Sequence, residues 1–185
     1  MPGLNIVKIY RPNSFYHIYN RGNEKQKIFH GDKDYEKFIT ILQKAVESSE
    51  VRLHCYCLMP NHFHLLVSQK NSHAIIKLMR ILLSTYVGFF NIKYTRVGHL
   101  FQGTYRARII KDERDLLQTS AYIHNNPRKH KPRLDLKKYR YSSYLSYVKG
   151  VKNDWIDKKV ITAHFLIDDY NKYLGENMNS TEELA

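Results

Sequence analysis

Pro60-Asn61-His62-Phe63-His64-Leu65-Leu66-Val67 decides how the rest of this 185-residue chain reads. Apolar residues lead into it and out of it, and two histidines stand in it with one phenylalanine between them. Residues i and i+2 of a strand point to the same face. His62 and His64 therefore project side by side, while Phe63 and Leu65 point the other way, into a core. Two imidazoles on one strand face can hold a hard or borderline divalent ion if a third ligand comes from elsewhere. The pair alone does not require this, because such a pair is more often structural or surface histidine than ligand.

Working outward, Arg52 to Met59 reads as a second strand, and Pro60-Asn61 turns the chain so that residues 62 to 68 return antiparallel to it. Phe15 to Asn20 is short, aromatic and β-prone, and Arg21-Gly22-Asn23 ends this first strand as a turn. Between them, Tyr35, Phe38, Ile39, Leu42, Ala45 and Val46 recur at helical spacing from Asp32 to about Ser49. A long helix starts at Asn71 or Ser72 and runs to about Tyr94, with Ile75, Met79, Leu82, Leu83, Tyr86 and Phe90 as its apolar stripe. Thr95 to Gly103 is a glycine-punctuated loop, and Tyr105 to Ile110 is a fourth strand with Arg106 and Arg108 on one face. Asp112 is the expected N-cap of a helix that reaches Asn126 and stops at Pro127. A short helix over Tyr141 to Val148 and a helical stretch around Val160 to Tyr170 follow, with a loose arm at residues 1–12 and a frayed polar end. The order β-α-β-β-α-β-α plus tail predicts an α+β fold of split ferredoxin-like type, with helices packed on one sheet face. The expected division is a domain over 1–150 and an acidic, partly helical extension over 151–185.

The formal charge of +13, from 30 Lys and Arg against 17 Asp and Glu, favours a polyanionic partner. From Arg128 to Arg140 seven basic residues face one acid, whereas Gly150 to Ala185 holds four lysines and seven acids. The positive field belongs to the body of the chain. Apolar residues make up 43 %, which excludes a disordered chain. No signal peptide is evident, since Asn5 and Lys8 break the only early apolar stretch. No run approaches the ~18 apolar residues that a membrane helix needs. Cys55 and Cys57 read as buried thiols in a reducing compartment, the cytoplasm.

Tyr122 and Asn126 lie one turn apart on the helix before Pro127 and share a face. A tyrosine hydroxyl, with a pKa near ~10, attacks an electrophile polarised by a metal, and an amide oxygen one turn on can complete a two-histidine site. Arg106, Arg108, Arg128, Lys129 and Arg133 are candidates for phosphate contacts, and Tyr16, Tyr105 and Phe101 for base stacking. His99 either touches nucleic acid or caps its loop. His17, His54 and His124 read as structural histidines. A zinc site from Cys55, Cys57, His62 and His64 is disfavoured by the missing Cys-x₂-Cys spacing.

In four stretches the chain resembles the HUH single-tyrosine (Y1) transposases of IS200/IS605-like elements, and within them the REP-associated tyrosine transposases. These are Phe15 to Gly22, Tyr56 to Leu66, Gly98 to Gly103 with the strand after it, and Tyr122-Ile123-His124-Asn125-Asn126-Pro127-Arg128. The resemblance implies an RRM-like domain in which His62, His64 and Asn126 bind Mg²⁺ or Mn²⁺ and Tyr122 is the nucleophile. It implies cleavage of hairpin-containing single-stranded DNA through a 5′-phosphotyrosine, with a free 3′-OH for rejoining, by a monomer or a homodimer. Asn126 stands where many insertion-element relatives carry glutamine, which favours the REP-associated branch. The rival readings are a structured DNA- or RNA-binding module without catalysis and a replication-initiation-type nickase.

Overall fold

The structure is a computed structural model, and it describes residues 10–148, 153–165 and 169–177. The arm expected over the first residues and the frayed end lie mostly outside these. Four strands, β1 (Ser14–Arg21), β2 (Val51–Met59), β3 (His62–Gln69) and β4 (Arg106–Ile109), form one sheet in the order β2-β3-β1-β4. Every pairing is antiparallel. This order is consistent with the RRM-like arrangement that the resemblance implies.

Alternation along the strands builds two cores. Ile18, Leu53, Tyr56, Leu58, Phe63, Leu65 and Val67 face α1 (Asp32–Ser49) and α2 (Ala74–Lys93) in the larger one. Asp34 locks this helix pair. Its side chain is fully buried and accepts from the His30 N–H at 2.8 Å, from Lys93 Nζ at 2.5 Å and from the Tyr94 hydroxyl at 2.7 Å. Burial opposes ionisation of Asp34, but these donors hold its carboxyl below the usual range. By length and composition α2 could cross a membrane, with a mean hydropathy of 1.4 over 18 residues. That corrects the expectation that no stretch comes near this. Here Ile75, Leu78, Met79, Leu82, Tyr86 and Phe90 of α2 are buried in the first core.

The opposite sheet face is covered too, which corrects the one-sided packing expected from the sequence. Cys55, Cys57, Met59 and Leu66 point to that face and leave it apolar on the β2 side. There α3 (Glu113–His130), α4 (Tyr144–Val148), α5 (Lys159–Thr162) and α6 (Asp169–Glu176) add Leu116, Ile123, Tyr144, Tyr147, Ile161, Tyr170 and Leu174. The short helix begins at Tyr144 rather than Tyr141 because residues before it pair with β2. The Leu58 N–H donates to the Tyr141 carbonyl and the Ser143 N–H to that of Tyr56. Farther along, the Asp157 N–H donates to the Leu53 carbonyl at 2.8 Å. The outer edge of β2 is thus hydrogen-bonded by later parts of the chain, which removes an exposed strand edge.

Helix α3 starts as expected, with Asp112 accepting from the Asp115 N–H at 2.8 Å. It does not end before Pro127 but continues through it to His130. Proline costs a helix interior about 3 kcal/mol and one backbone hydrogen bond. Burial of Ala121 to Pro127 outweighs that here, and the Lys131 N–H donates back to the Pro127 carbonyl at 3.1 Å.

Candidate active site

The site is built where α3 crosses the second sheet face. Strand β3 supplies His62, half-buried at the start of the strand, and His64, 5 % exposed. Their rings are 5.1 Å apart. The turn that delivers them is pinned by Gly22, whose N–H donates to the Asn61 carbonyl at 2.8 Å. A Cβ at Gly22 would lie 2.2 Å from the Gln26 carbonyl oxygen, so the close approach needs glycine.

From α3, Asn126 Oδ1 lies 2.9 Å from His62 Nε2, while His62 Nδ1 lies 2.7 Å from Asn61 Oδ1. A neutral imidazole has one N–H. If it is given to Asn61, a lone pair on Nε2 faces the oxygen of Asn126, and two acceptors at that distance need a proton or a cation between them. The Tyr122 ring stands edge-on to His64 at 5.3 Å, and Asn126 lies one helical turn after it on α3. Sequence reasoning placed His62, His64, Tyr122 and Asn126 on two separate elements, and the fold brings all four together.

Electrostatics divide the groups by task. Burial first, then the charges of His17, His62 and Lys129, keep the His64 pKa well below the ordinary value, so this ring is neutral and has a lone pair to offer. Burial, with a smaller contribution from Tyr19, raises the Tyr122 pKa, and the Asn126 side chain works against that rise. Lys129, two turns after Tyr122, places Nζ 4.0 Å from the centroid of its ring. That contact exists because the helix continues past Pro127.

The other candidates separate. Arg106 is exposed on β4 beside Tyr19, in the cross-strand row His64, Tyr19, Arg106. Arg108 is half-buried, with its guanidinium on Asp115 at 2.7 and 2.9 Å and on Thr119 at 2.8 Å. Arg128 donates to the Leu134 carbonyl at 3.2 Å and to Asn125 Oδ1 at 3.4 Å. Arg133 is exposed in the segment after α3. His99 and Tyr105 lie elsewhere, in a groove of about 640 Å³ along α2 that Arg80 and Phe101 also line.

Two residues were not singled out from sequence. Tyr19 is 5.7 Å from His64 ring to ring. His17, read as an ordinary strand histidine, is fully buried with Nε2 2.9 Å from His64 Nδ1. Its alternation with Tyr19 put both on one face, but only the β1–β3 register shows that this face is the one His64 occupies.

Among the described residues no group of three or more His, Cys, Asp or Glu could hold a metal ion. The donor set that converges here is two imidazoles and one neutral amide. It suits a divalent ion only with further oxygen ligands, which a phosphodiester can supply.

No curated protein matches the chain. Among solved structures, a REP-associated tyrosine transposase bound to a REP hairpin is similar, at 14 % identity and a TM-score of 0.60 over 81 % of this chain and 89 % of that one. This shows a shared fold. A transposase candidate from Deinococcus radiodurans R1 aligns at 15 % identity over 57 % of this chain and 85 % of that one, with a TM-score of 0.45. The family described as "Transposase IS200 like" matches residues 11–126, a span that holds both histidines, Tyr122 and Asn126. The chain belongs to the IS200-like transposases of the Y1 type.

Proposed function

We propose that the protein is a metal-dependent strand transferase that cleaves and rejoins hairpin-containing single-stranded DNA through Tyr122. One observation carries this reading: Tyr122 and Asn126 of α3 meet His62 and His64 of β3, with Asn126 Oδ1 2.9 Å from His62 Nε2. His62, His64 and Asn126 would hold Mg²⁺ or Mn²⁺, which supplies charge neutralisation at the scissile phosphate.

The chain's own groups do the rest. Tyr122 Oη attacks phosphorus, a Tyr–O–P bond forms and the P–O3′ bond breaks. The phenolic proton is lost as the leaving 3′ oxygen gains one, so the step needs no other reactant. The product is a 5′-phosphotyrosine and a free 3′-OH, and reversal rejoins strands. Lys129 over the ring stabilises the phenolate character that develops. Asn126 orients the hydroxyl. Tyr19 offers a stacking surface beside His64, and Arg106 a phosphate contact one strand farther on. Arg133 and Lys129 extend that field, while Arg108 and Arg128 act mainly by holding α3 in place. The hairpin substrate is proposed from the family relation, the related REP-associated enzyme having been solved on such a hairpin. A monomer or a homodimer, an RRM-like architecture and a cytoplasmic location complete the reading.

The test uses labelled single-stranded oligonucleotides from the DNA flanking the gene, with Mg²⁺, Mn²⁺ or EDTA, on a denaturing protein gel. A metal-dependent label that stays on the wild-type protein and is absent from Tyr122→Phe is the expected result. Tight, salt-sensitive hairpin binding with no adduct in any condition would overturn it in favour of a binding module.

A further inference from the structure

We propose that His17 is a positioning residue that engages Nδ1 of His64 and, as an adaptable partner there, lets Nε2 bind a cation, an inference that rests on the metal reading above. The N···N contact between His17 Nε2 and His64 Nδ1 is 2.9 Å, a full hydrogen bond between two rings that are 0 % and 5 % exposed. Two neutral imidazoles carry one N–H each, and this contact consumes one of the two protons. Only two arrangements satisfy it.

In the first, His64 Nδ1–H donates to His17 Nε2. His64 Nε2 then keeps its lone pair and can ligate, and the proton of His17 sits on Nδ1. In the second, His17 Nε2–H donates to His64 Nδ1. His64 then carries its own proton on Nε2 and cannot ligate. The far nitrogen of His17 decides nothing between them: Nδ1 is buried and has no hydrogen-bond partner among the described residues. A ligand histidine is ordinarily fixed by an outer group that is itself fixed, such as a carboxylate or a backbone carbonyl. Here the outer group is a second imidazole with no such anchor, so the choice passes to whatever occupies His64 Nε2. A cation arriving there selects the first arrangement: the shared proton passes from His17 Nε2 to His64 Nδ1, His64 Nε2 releases its proton and His17 Nδ1 takes one up, with no net change in protons bound. His17 thus serves as an adaptable acceptor behind a metal ligand. His62 lacks this freedom, since Asn61 and Asn126 both present oxygens to it.

Three forms of the full-length chain test this: wild type, His17→Phe, which keeps the ring volume without the acceptor, and His17→Gln, whose amide reaches the place of Nε2. Mn²⁺ affinity is read by electron paramagnetic resonance, without DNA. Two-bond ¹H–¹⁵N spectra with and without Mg²⁺ report the His64 tautomer. Far-UV circular dichroism and melting check the fold. Loss of an outer partner typically costs 10–100-fold in metal affinity. We expect that loss in His17→Phe, near wild-type affinity in His17→Gln, and a His64 proton on Nδ1 in the Mg²⁺-loaded wild type. A folded His17→Phe with wild-type affinity would overturn the proposal alone. So would a loaded wild type with the His64 proton on Nε2, a measurement that stands even if His17→Phe fails to fold. Absence of any Mn²⁺ binding by the wild type would overturn the metal reading and this proposal together.

Discussion

Tyr122, the proposed nucleophile, stands in surroundings that disfavour its ionised form, since burial raises its pKa. Lys129 stands over the same ring, with its ammonium 4.0 Å from the centroid. A cation–π contact contributes about 0.5–2 kcal/mol. Lys129→Met should therefore slow adduct formation by roughly 2- to 30-fold, and the limb of the rate profile that rises with Tyr122 ionisation should move to higher pH. Single-turnover kinetics across pH check both. An unmoved limb would show that Lys129 acts on DNA alone. The two arginines of β4 give a sharper contrast. They alternate in sequence and share a face, so the sequence makes them equivalent. Only the position of Asp115 and Thr119 separates Arg108, engaged and half-buried, from Arg106, exposed. Arg106→Ala should leave the melting temperature unchanged and lower the salt slope of single-strand binding by about one. Arg108→Ala should destabilise the fold by about 1–3 kcal/mol, the cost of leaving hydrogen-bonded Asp115 and Thr119 without their donor. Thermal melts and salt titrations of both variants check this.

At the scale of elements, period-two and period-3.6 patterns made the four strands and first three helices legible within a few residues. The reason is that β1, β2 and β3 each bury at least one face and each of these helices a stripe, so local pattern and tertiary need agree. The failures occur where tertiary contacts overrule local signals. Pro127 is a stop signal, yet burial carries α3 three residues past it and brings Lys129 over Tyr122. Residues 141–143 carry a helical pattern, yet the open edge of β2 draws their backbone into pairing. The turn after β1 shows the opposite case, in which one residue type is required. A methyl group at Gly22 would meet the Gln26 carbonyl oxygen at 2.2 Å, and that oxygen is backbone. Gly22→Ala should thus cost on the order of 1–3 kcal/mol and loosen the turn that presents His62. Urea denaturation and Mn²⁺ affinity, measured on the same variant, check the two effects.

For the whole molecule, the sequence reveals the pairing of two histidines with a tyrosine but not the second layer over that sheet face. That layer joins residues far apart in the chain through polar groups, and no periodicity encodes such a meeting. Its centre is His124, fully buried, with Nδ1 2.7 Å from the Tyr170 hydroxyl and Nε2 2.8 Å from Ser143 Oγ. Beside it, Asn125 Nδ2 donates to the Leu174 carbonyl at 2.8 Å. Helix α3 is therefore held from behind by α6, by neighbours of the two residues that face the histidine pair. Burial pushes the His124 pKa down to about 3, and it likewise lowers those of His17 and His64. In the unfolded chain each returns to about 6.5. Between these values the unfolded state binds more protons than the folded one, so stability falls as pH falls. The contribution is complete above about pH 6.5 and is lost progressively as the pH drops towards 3. His124 alone gives a slope of about 1.4 kcal/mol per pH unit in the middle of that window, and the other two act in the same direction. Urea midpoints measured from pH 7 to pH 4 should decline accordingly. Replacing His124 by glutamine, which keeps hydrogen-bonding capacity without a titrating group, should flatten the decline by about one proton while His17 and His64 maintain the rest. A midpoint independent of pH over that range would mean that these imidazoles are not held neutral in the folded protein, and the neutral-ligand reading of His64 would fall with it.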